Sequence, residues 1–354
     1  MDHILTFLVV FALALSTALL LAPLAIWIAR RYGITSRYGG RHTTEGDKRR
    51  VPKLGGVVLY GAFVCGVLAA QVLPVPRLDP YETIRLIGLL LGATVIFIFG
   101  VIDDIFDLKP LPQFIGQFAA AAIAILFQIF IEYFNNPFTG EQTAPWPFFV
   151  TIAISLFWML FTMNTVNWLD GLDGLAGGVG LIAGVMLFIN SAFRVEPAQT
   201  SVSLLHLALM GATLGFLLFN FNPARIFLGG GAPLLGFLLG TLSIIGGAKM
   251  ATILLVMGLP LLDATWQIFN RLRQGKLPFT GDRGHLHFRL LDQGFSQRQI
   301  VLGYYLFCTL FGILTLVTSS RMFKFIALSV MGLIILGGFL LLSRVTQESS
   351  STSS

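Results

Sequence analysis

The sequence predicts an all-α, polytopic integral membrane protein of about eleven transmembrane helices, with its N-terminus outside and its C-terminus in the cytoplasm. Three observations carry this expectation. The chain is 55% hydrophobic and 11% charged, where a soluble domain carries roughly 25% charged residues. Apolar runs of roughly 20 residues, each long enough to cross a bilayer as a helix, recur from end to end. The Lys and Arg residues fall mainly on one side of those runs.

In order, the runs are 5–28, 54–73, 84–102, 114–133, 148–166, 175–193, 202–220, 232–246, 249–267, 301–319 and 323–343. The first is too long for a signal-peptide core and carries Arg30 and Arg31 behind it rather than in front, so it is expected to be retained as a span. The eighth, between Gly231 and Gly247, is short and Gly-rich. With the N-terminus outside, 17 of the 23 Lys and Arg fall on the inner side, eight of them in 30–53 and six in 268–300. That asymmetry sets the expected orientation in the cell membrane. Residues 1–346 read as one polytopic domain with its active-site face toward the cytoplasm, and the Ser-rich stretch 347–354 as a disordered tail.

The basic residues sit in short loops rather than on one domain face, which favours anionic lipid and phosphate partners over nucleic acid. No internal repeat is evident, which argues against the many transporter folds built from duplicated halves. Cys65 and Cys308 lie inside apolar runs without pairing or metal spacing and read as packing residues.

Under this topology Asp103, Asp104, Asp107, Asp170, Asp173 and Asp263 all come out at cytoplasmic span ends. Asp103-Asp104-x-x-Asp107 ends the third run, where helical spacing puts Asp103 and Asp107 on one face and Asp104 about 100° away. Clustered carboxylates with no His or Cys nearby suit Mg²⁺ or Mn²⁺, and Mg²⁺ is usually held by one or two carboxylates plus substrate phosphates. A solvated helix end is the plainer alternative.

Asn164, Asn167 and Asp170 recur every third residue, a polar stripe on an otherwise apolar helix end, followed by Gly171, Asp173 and Gly174. Such a stripe can orient a polar ligand, and the glycines allow close backbone approach. The first inner loop holds Lys48, Arg49, Arg50 and Lys53, readable as topology signal or as lipid-phosphate attraction. The last holds Asp282, Arg283, His285, His287 and Arg289, and Arg recognises phosphate bidentately. His285 and His287 lack zinc-site spacing. His3 and His206 read as incidental, and His42 stays ambiguous.

The order of these motifs resembles the polyprenyl-phosphate N-acetylhexosamine-1-phosphate transferases. That family includes the lipid I synthase of peptidoglycan assembly and the initiators of surface-polysaccharide synthesis. The motifs are Pro52-x-x-Gly55-Gly56, Asp103-Asp104-x-x-Asp107, Asn164-x-x-Asn167-x-x-Asp170-Gly171-x-Asp173-Gly174, Asn222-Pro223-Ala224 to Gly229, Pro260-x-x-Asp263 and Asp282-Arg283-x-His285-x-His287.

The resemblance implies transfer of an N-acetylhexosamine-1-phosphate from a UDP-sugar to undecaprenyl phosphate, releasing UMP, with Mg²⁺ in a cytoplasmic cleft. The 278–289 loop looks more like the initiators, which points to GlcNAc or another simple amino sugar. The implied roles are metal and acceptor positioning for Asp103 and Asp104, with Asp170 as a third metal ligand. Asn164, Asn167, Asp170 and Asp173 would bind nucleotide or metal, and Asp263, Arg283, His285 and His287 the donor diphosphate. Lys48 and Arg50 would guide the lipid phosphate. A homodimer is compatible with the sequence.

Two departures stand out: Gly230 occupies the place of a family Asp that resembles a metal ligand, and the family's His-x-His-His is cut to His285-Leu-His287-Phe288. An impaired relative acting as a binding protein, or a transporter with carboxylates near mid-bilayer, remain the alternatives.

Overall fold

The computed structural model describes residues 3–36, 50–245, 250–275, 284–318 and 320–351, with side chains of the last helix described as far as Gly337. Among these residues there is no β-strand, only isolated bridges at Thr35–Pro52 and Asn135–Gln142. The helices are α1 (Ile4–Tyr32), α2 (Gly55–Val72), α3 (Glu82–Phe106), α4 (Pro110–Leu126), α5 (Phe148–Leu169) and α6 (Leu175–Ile189), which runs into a π turn at Asn190–Arg194. There follow α7 (Thr200–Asn220), α8 (Gly231–Ile244), α9 (Met250–Val256), α10 (Gly258–Arg273), α11 (Leu286–Asp292), α12 (Gln297–Val317) and α13 (Arg321–Ser351).

Every apolar run of the sequence overlaps a helix, though by length and composition fewer than eleven of the described helices reach a full span. Seven described helices are long and apolar enough to cross a membrane, or eight if a bent pair counts as one. That pair is α9 and α10, which turn by 79° at Met257, so the run 249–267 is not one straight span. α4 and α8 have 17 and 14 residues, about 26 and 21 Å at 1.5 Å per residue, short of a hydrocarbon core of about 30 Å. α13 continues through Ser351, into the stretch expected as a tail. Ser is a middling helix former, and propagating an existing helix is far easier than starting one.

Small residues set the packing. Ala14, Ala18, Ala22, Ala25 and Ala29 line the buried side of α1. A Cβ on Gly211 of α7 would lie 2.6 Å from Phe11 O, and one on Gly215 would lie 2.5 Å from Ala18 Cβ, so the two backbones touch. In lipid, where apolar side chains gain little by leaving the bilayer, such close van der Waals approach is what holds helices together. α8 packs on α5 in the same way, with Gly236 against the Met163 backbone and Gly240 against Thr162. α7 and α8 are buried on almost every side and form the centre of the bundle.

Candidate active site

The three aspartates of the third run go three ways. α3 ends at Phe106, and Asp107 adopts a left-handed conformation with φ 49°, so it does not share a helical face with Asp103 as spacing alone predicts. Its carboxylate meets Lys53 Nζ at 2.7 Å, partly exposed. Asp103 Oδ1 accepts from Leu108 N and Gln113 Nε2, both at 2.8 Å, and fastens the turn into α4. Asp104 is buried, and its Oδ1 accepts from the backbone N–H of Gly230 at 2.9 Å.

Gly230 explains its own missing side chain. A Cβ there would lie 2.1 Å from Gly100 O and 2.4 Å from Gly100 Cα, backbone against backbone. The preceding Gly229 has φ +56°, and a Cβ on it would meet Asp104 Oδ1 at 2.3 Å. This turn therefore carries no carboxylate of its own; Asp104 brings one to it from α3.

α5 ends in the Asp170–Gly174 turn. Asn164 Nδ2 donates to Gln117 Oε1 of α4 at 2.7 Å and to Leu160 O at 2.8 Å, so this amide ties two helices together. Asn167 and Asp170, further down the stripe, are half-buried. Asp173 is buried, and its Oδ2 accepts from Asn222 Nδ2 at 3.1 Å and Ala224 N at 3.0 Å, bracing the 222–224 segment. Sequence reading passed over Asn220. Its Oδ1 accepts from Gly174 N at 3.0 Å and its Nδ2 donates to Ile226 O at 2.8 Å, joining the two turns. Tyr305 Oη donates to Gly174 O at 2.5 Å from α12.

α10 and α11 supply the histidine side. Asp263 Oδ2 meets His285 Nδ1 at 2.8 Å, and its Oδ1 accepts from Leu286 N at 3.1 Å. A carboxylate on Nδ1 fixes the proton there and leaves Nε2 as the second working atom of the ring. That Nε2 is buried with no hydrogen-bond partner among the described residues. The Trp168 ring lies 5.9 Å from His285, and the buried Arg271 guanidinium stands 5.3 Å over Trp168. Gln267 Nε2 and Arg289 Nε both donate to Gly284 O, at 2.5 and 2.7 Å. His287 stacks 5.7 Å from His285 and packs on Gly171, where a Cβ would come within 2.5 Å of its Nε2. Asp263 lies on the second half of the broken α9–α10 pair, a position that also suits a transporter, but there both its oxygens are engaged in holding the His285 segment.

Arg50 lines an open concavity of ≈ 450 Å³ together with Arg30 and Arg225. Phe227 N donates to Pro52 O at 2.8 Å and Gly55 N to Phe227 O at 3.0 Å, which joins this basic rim to the Gly229–Gly230 turn. Lys48, His42, Asp282 and Arg283 lie outside the described residues. A chain of contacts thus links Asp104, the 222–230 segment, Asp173, Gly171, His287, His285 and Asp263 at one end of the bundle.

Oxygen donors for a hard cation are present at this end, and Asp103 and Asp104 each use only Oδ1 in the contacts above. Among the described residues no three His, Cys, Asp or Glu side chains are poised to share one metal ion. Asp103, Asp104 and Asp170 therefore do not make a ready cage. Mg²⁺ fits such a site nonetheless, because substrate phosphates and water complete its shell.

Fold and site together define a polytopic helical membrane protein with a buried, carboxylate- and histidine-bearing polar site at one end. Residues 86–247 match the family model for glycosyl transferase family 4. The chain is 31% identical to a decaprenyl-phosphate N-acetylglucosaminephosphotransferase of Mycolicibacterium smegmatis, over 77% of this chain and 72% of the relative. It is 27% identical to a probable undecaprenyl-phosphate N-acetylglucosaminyl 1-phosphate transferase of Bacillus subtilis, over 90% and 87%. A phospho-N-acetylmuramoyl-pentapeptide-transferase of Desulfitobacterium hafniense is 28% identical over 86% and 94%. The chain belongs to the polyprenyl-phosphate N-acetylhexosamine-1-phosphate transferase family.

Proposed function

We propose that this protein transfers N-acetylglucosamine-1-phosphate from UDP-GlcNAc to undecaprenyl phosphate and releases UMP. The site end faces the cytoplasm of the cell membrane, and the reaction initiates a cell-wall or surface polysaccharide. The choice of sugar follows the two relatives whose names specify N-acetylglucosamine.

The observation that carries the reading is the Asp263–His285 pair, which presents a buried imidazole Nε2 at the same end as Asp104. In the reaction an oxygen of the lipid phosphate attacks the sugar-bearing phosphorus. The P–O bond to the uridylyl phosphate breaks, and UMP leaves with that electron pair. A phosphate monoester has its second pKa near 6, so the acceptor is already a dianion at neutral pH and needs no dedicated base. Positioning and charge neutralisation carry such a transfer.

In this role the His285 ring carries a proton on both nitrogens, Nδ1–H donating to Asp263, which holds the ring in register, and Nε2–H donating to the donor diphosphate, with His287 beside it. Arg283 belongs to the same segment and adds charge there. Asn167 and Asp170 bind the nucleotide end, Asp173 acts on it by positioning the turn, and Asn164 ties α5 to α4. Arg50, with Lys48, guides the lipid phosphate. Asp103 and Asp104, with Asp170, are the residues that would hold Mg²⁺ or Mn²⁺. The cation when bound supplies charge neutralisation at the diphosphate.

The test is UMP release by purified protein in detergent with undecaprenyl phosphate, Mg²⁺ and either UDP-GlcNAc or UDP-GalNAc. Turnover with UDP-GlcNAc that disappears in Asp104→Asn is the expected result. A folded protein inactive with both sugars would instead favour a non-catalytic binding role.

A further inference from the structure

At the end of the bundle opposite Asp104, a groove of ≈ 660 Å³ opens between residues 133–137, the π turn after α6, α9, and the facing ends of α12 and α13. Met250, Leu254, Leu255, Phe325 and Leu328 give it apolar walls. Phe138 meets the Phe325 ring edge-on at 5.4 Å and extends that wall. Three cations share the same groove: Arg194 from the π turn, and Arg321 and Lys324 from the first turn of α13.

None of these three forms an ion pair with a described carboxylate, whereas Arg77 pairs with Glu82 and Arg85 with Asp79 at the same end. In the orientation expected from the Lys and Arg distribution, this is the cation-poor side of the protein. Topology signal therefore does not account for three basic residues meeting here. Like charges brought together beside an apolar wall disfavour one another unless an anion intervenes. Water or a small ion could meet the charges, but neither would cover the aliphatic and aromatic walls.

We propose that the groove is a binding site for an anionic phospholipid, with its phosphate among Arg194, Arg321 and Lys324 and an acyl chain lying along α9, α12 and α13. Head and tail complement the two halves of one cavity, and the headgroup bridges the π turn to α13. The proposal is independent of which sugar the protein transfers.

Thermal unfolding of the full chain, stripped of lipid in a neutral detergent, tests this directly. Added phosphatidylglycerol at saturating concentration should raise the Tm by about 3 °C or more, and native mass spectrometry should show one lipid retained. Phosphatidylcholine with the same chains, and glycerol 3-phosphate alone, should do neither. Arg321→Gln combined with Lys324→Gln should abolish the shift, and Arg77→Gln should preserve it. Ala251→Trp fills the groove wall without altering charge and should also abolish the shift, which keeps the test decisive if the double variant fails to fold. Equal shifts from phosphatidylcholine, a shift from glycerol 3-phosphate alone, or phosphatidylglycerol binding that survives Ala251→Trp would each overturn the proposal.

Discussion

Asp263 and His285 form a buried pair in which one carboxylate oxygen meets Nδ1 at 2.8 Å while the other holds the amide of Leu286 at 3.1 Å. The same side chain therefore orients the imidazole and anchors the start of the short helix α11. Asp263→Asn keeps the shape but removes the carboxylate charge that complements a ring donating from both nitrogens. We expect kcat to fall about tenfold to a hundredfold, the worth of one charge-assisted hydrogen bond. In the double variant with His285→Ala, loss of the aspartate should add little. Steady-state UMP release measures both effects, and fully additive losses would mean that Asp263 does not act through His285.

Gly230→Asp restores the residue that the family resemblance expects, yet the backbone of Gly100 occupies the space its Cβ needs. Overpacking of this kind costs about 1–3 kcal/mol. The variant should unfold at lower temperature and gain no activity. A stable, more active Gly230→Asp protein would show that Asp104 does not serve this turn as its carboxylate.

Asn164 and Gln117 should matter to the bundle rather than to turnover. A hydrogen bond between helices in a membrane averages about 0.6 kcal/mol. Asn164→Ala and Gln117→Ala should each lower stability slightly, and the double variant no more than the larger single one. Activity per folded molecule, counted by size-exclusion chromatography before assay, should stay near that of the parent.

Lys53 and Asp107 give the contrasting case. Their ion pair is partly exposed, with side chains 21% and 35% accessible, and such pairs contribute about 0–1 kcal/mol. Asp107→Asn should change Tm by less than about 2 °C, while Asp104→Asn, three residues earlier and buried, should abolish turnover. A large stability loss at Asp107 would mean that the pair organises the loop beyond its own energy.

The helices were legible because an apolar run of about 20 residues has one inexpensive solution in lipid. The break at Met257 was harder to read. Gly258 and Pro260 follow it, but neither says that the chain will turn by 79° there. The grouping of Asp104, Asp173, Asp263, His285 and His287 at one end followed from the parity of the spans. Their individual partners did not, because Asp104 finds its amide 126 positions away and Asp173 finds its own 49 and 51 away. Asn164 and Asn167 lie on α5 and Asp170 at its C-cap, yet a neighbouring helix takes the Asn164 amide, which spacing within one helix cannot foretell. Asn220 had a signal, an amide at the end of an apolar run just before Asn222-Pro223, and it went unused.

The Asp104–Gly230 contact also has a clock. Chains are synthesised at about 5–20 residues per second, so Asp104 emerges from the ribosome roughly 6–25 seconds before the amide that will cap it, 126 residues later. Asp263 waits only about 1–4 seconds for His285, 22 residues on. Of these two buried carboxylates, Asp104 is thus the one that must be kept hydrated longer during insertion. Its half of the site closes only when α8 arrives to seat the glycine turn against α3.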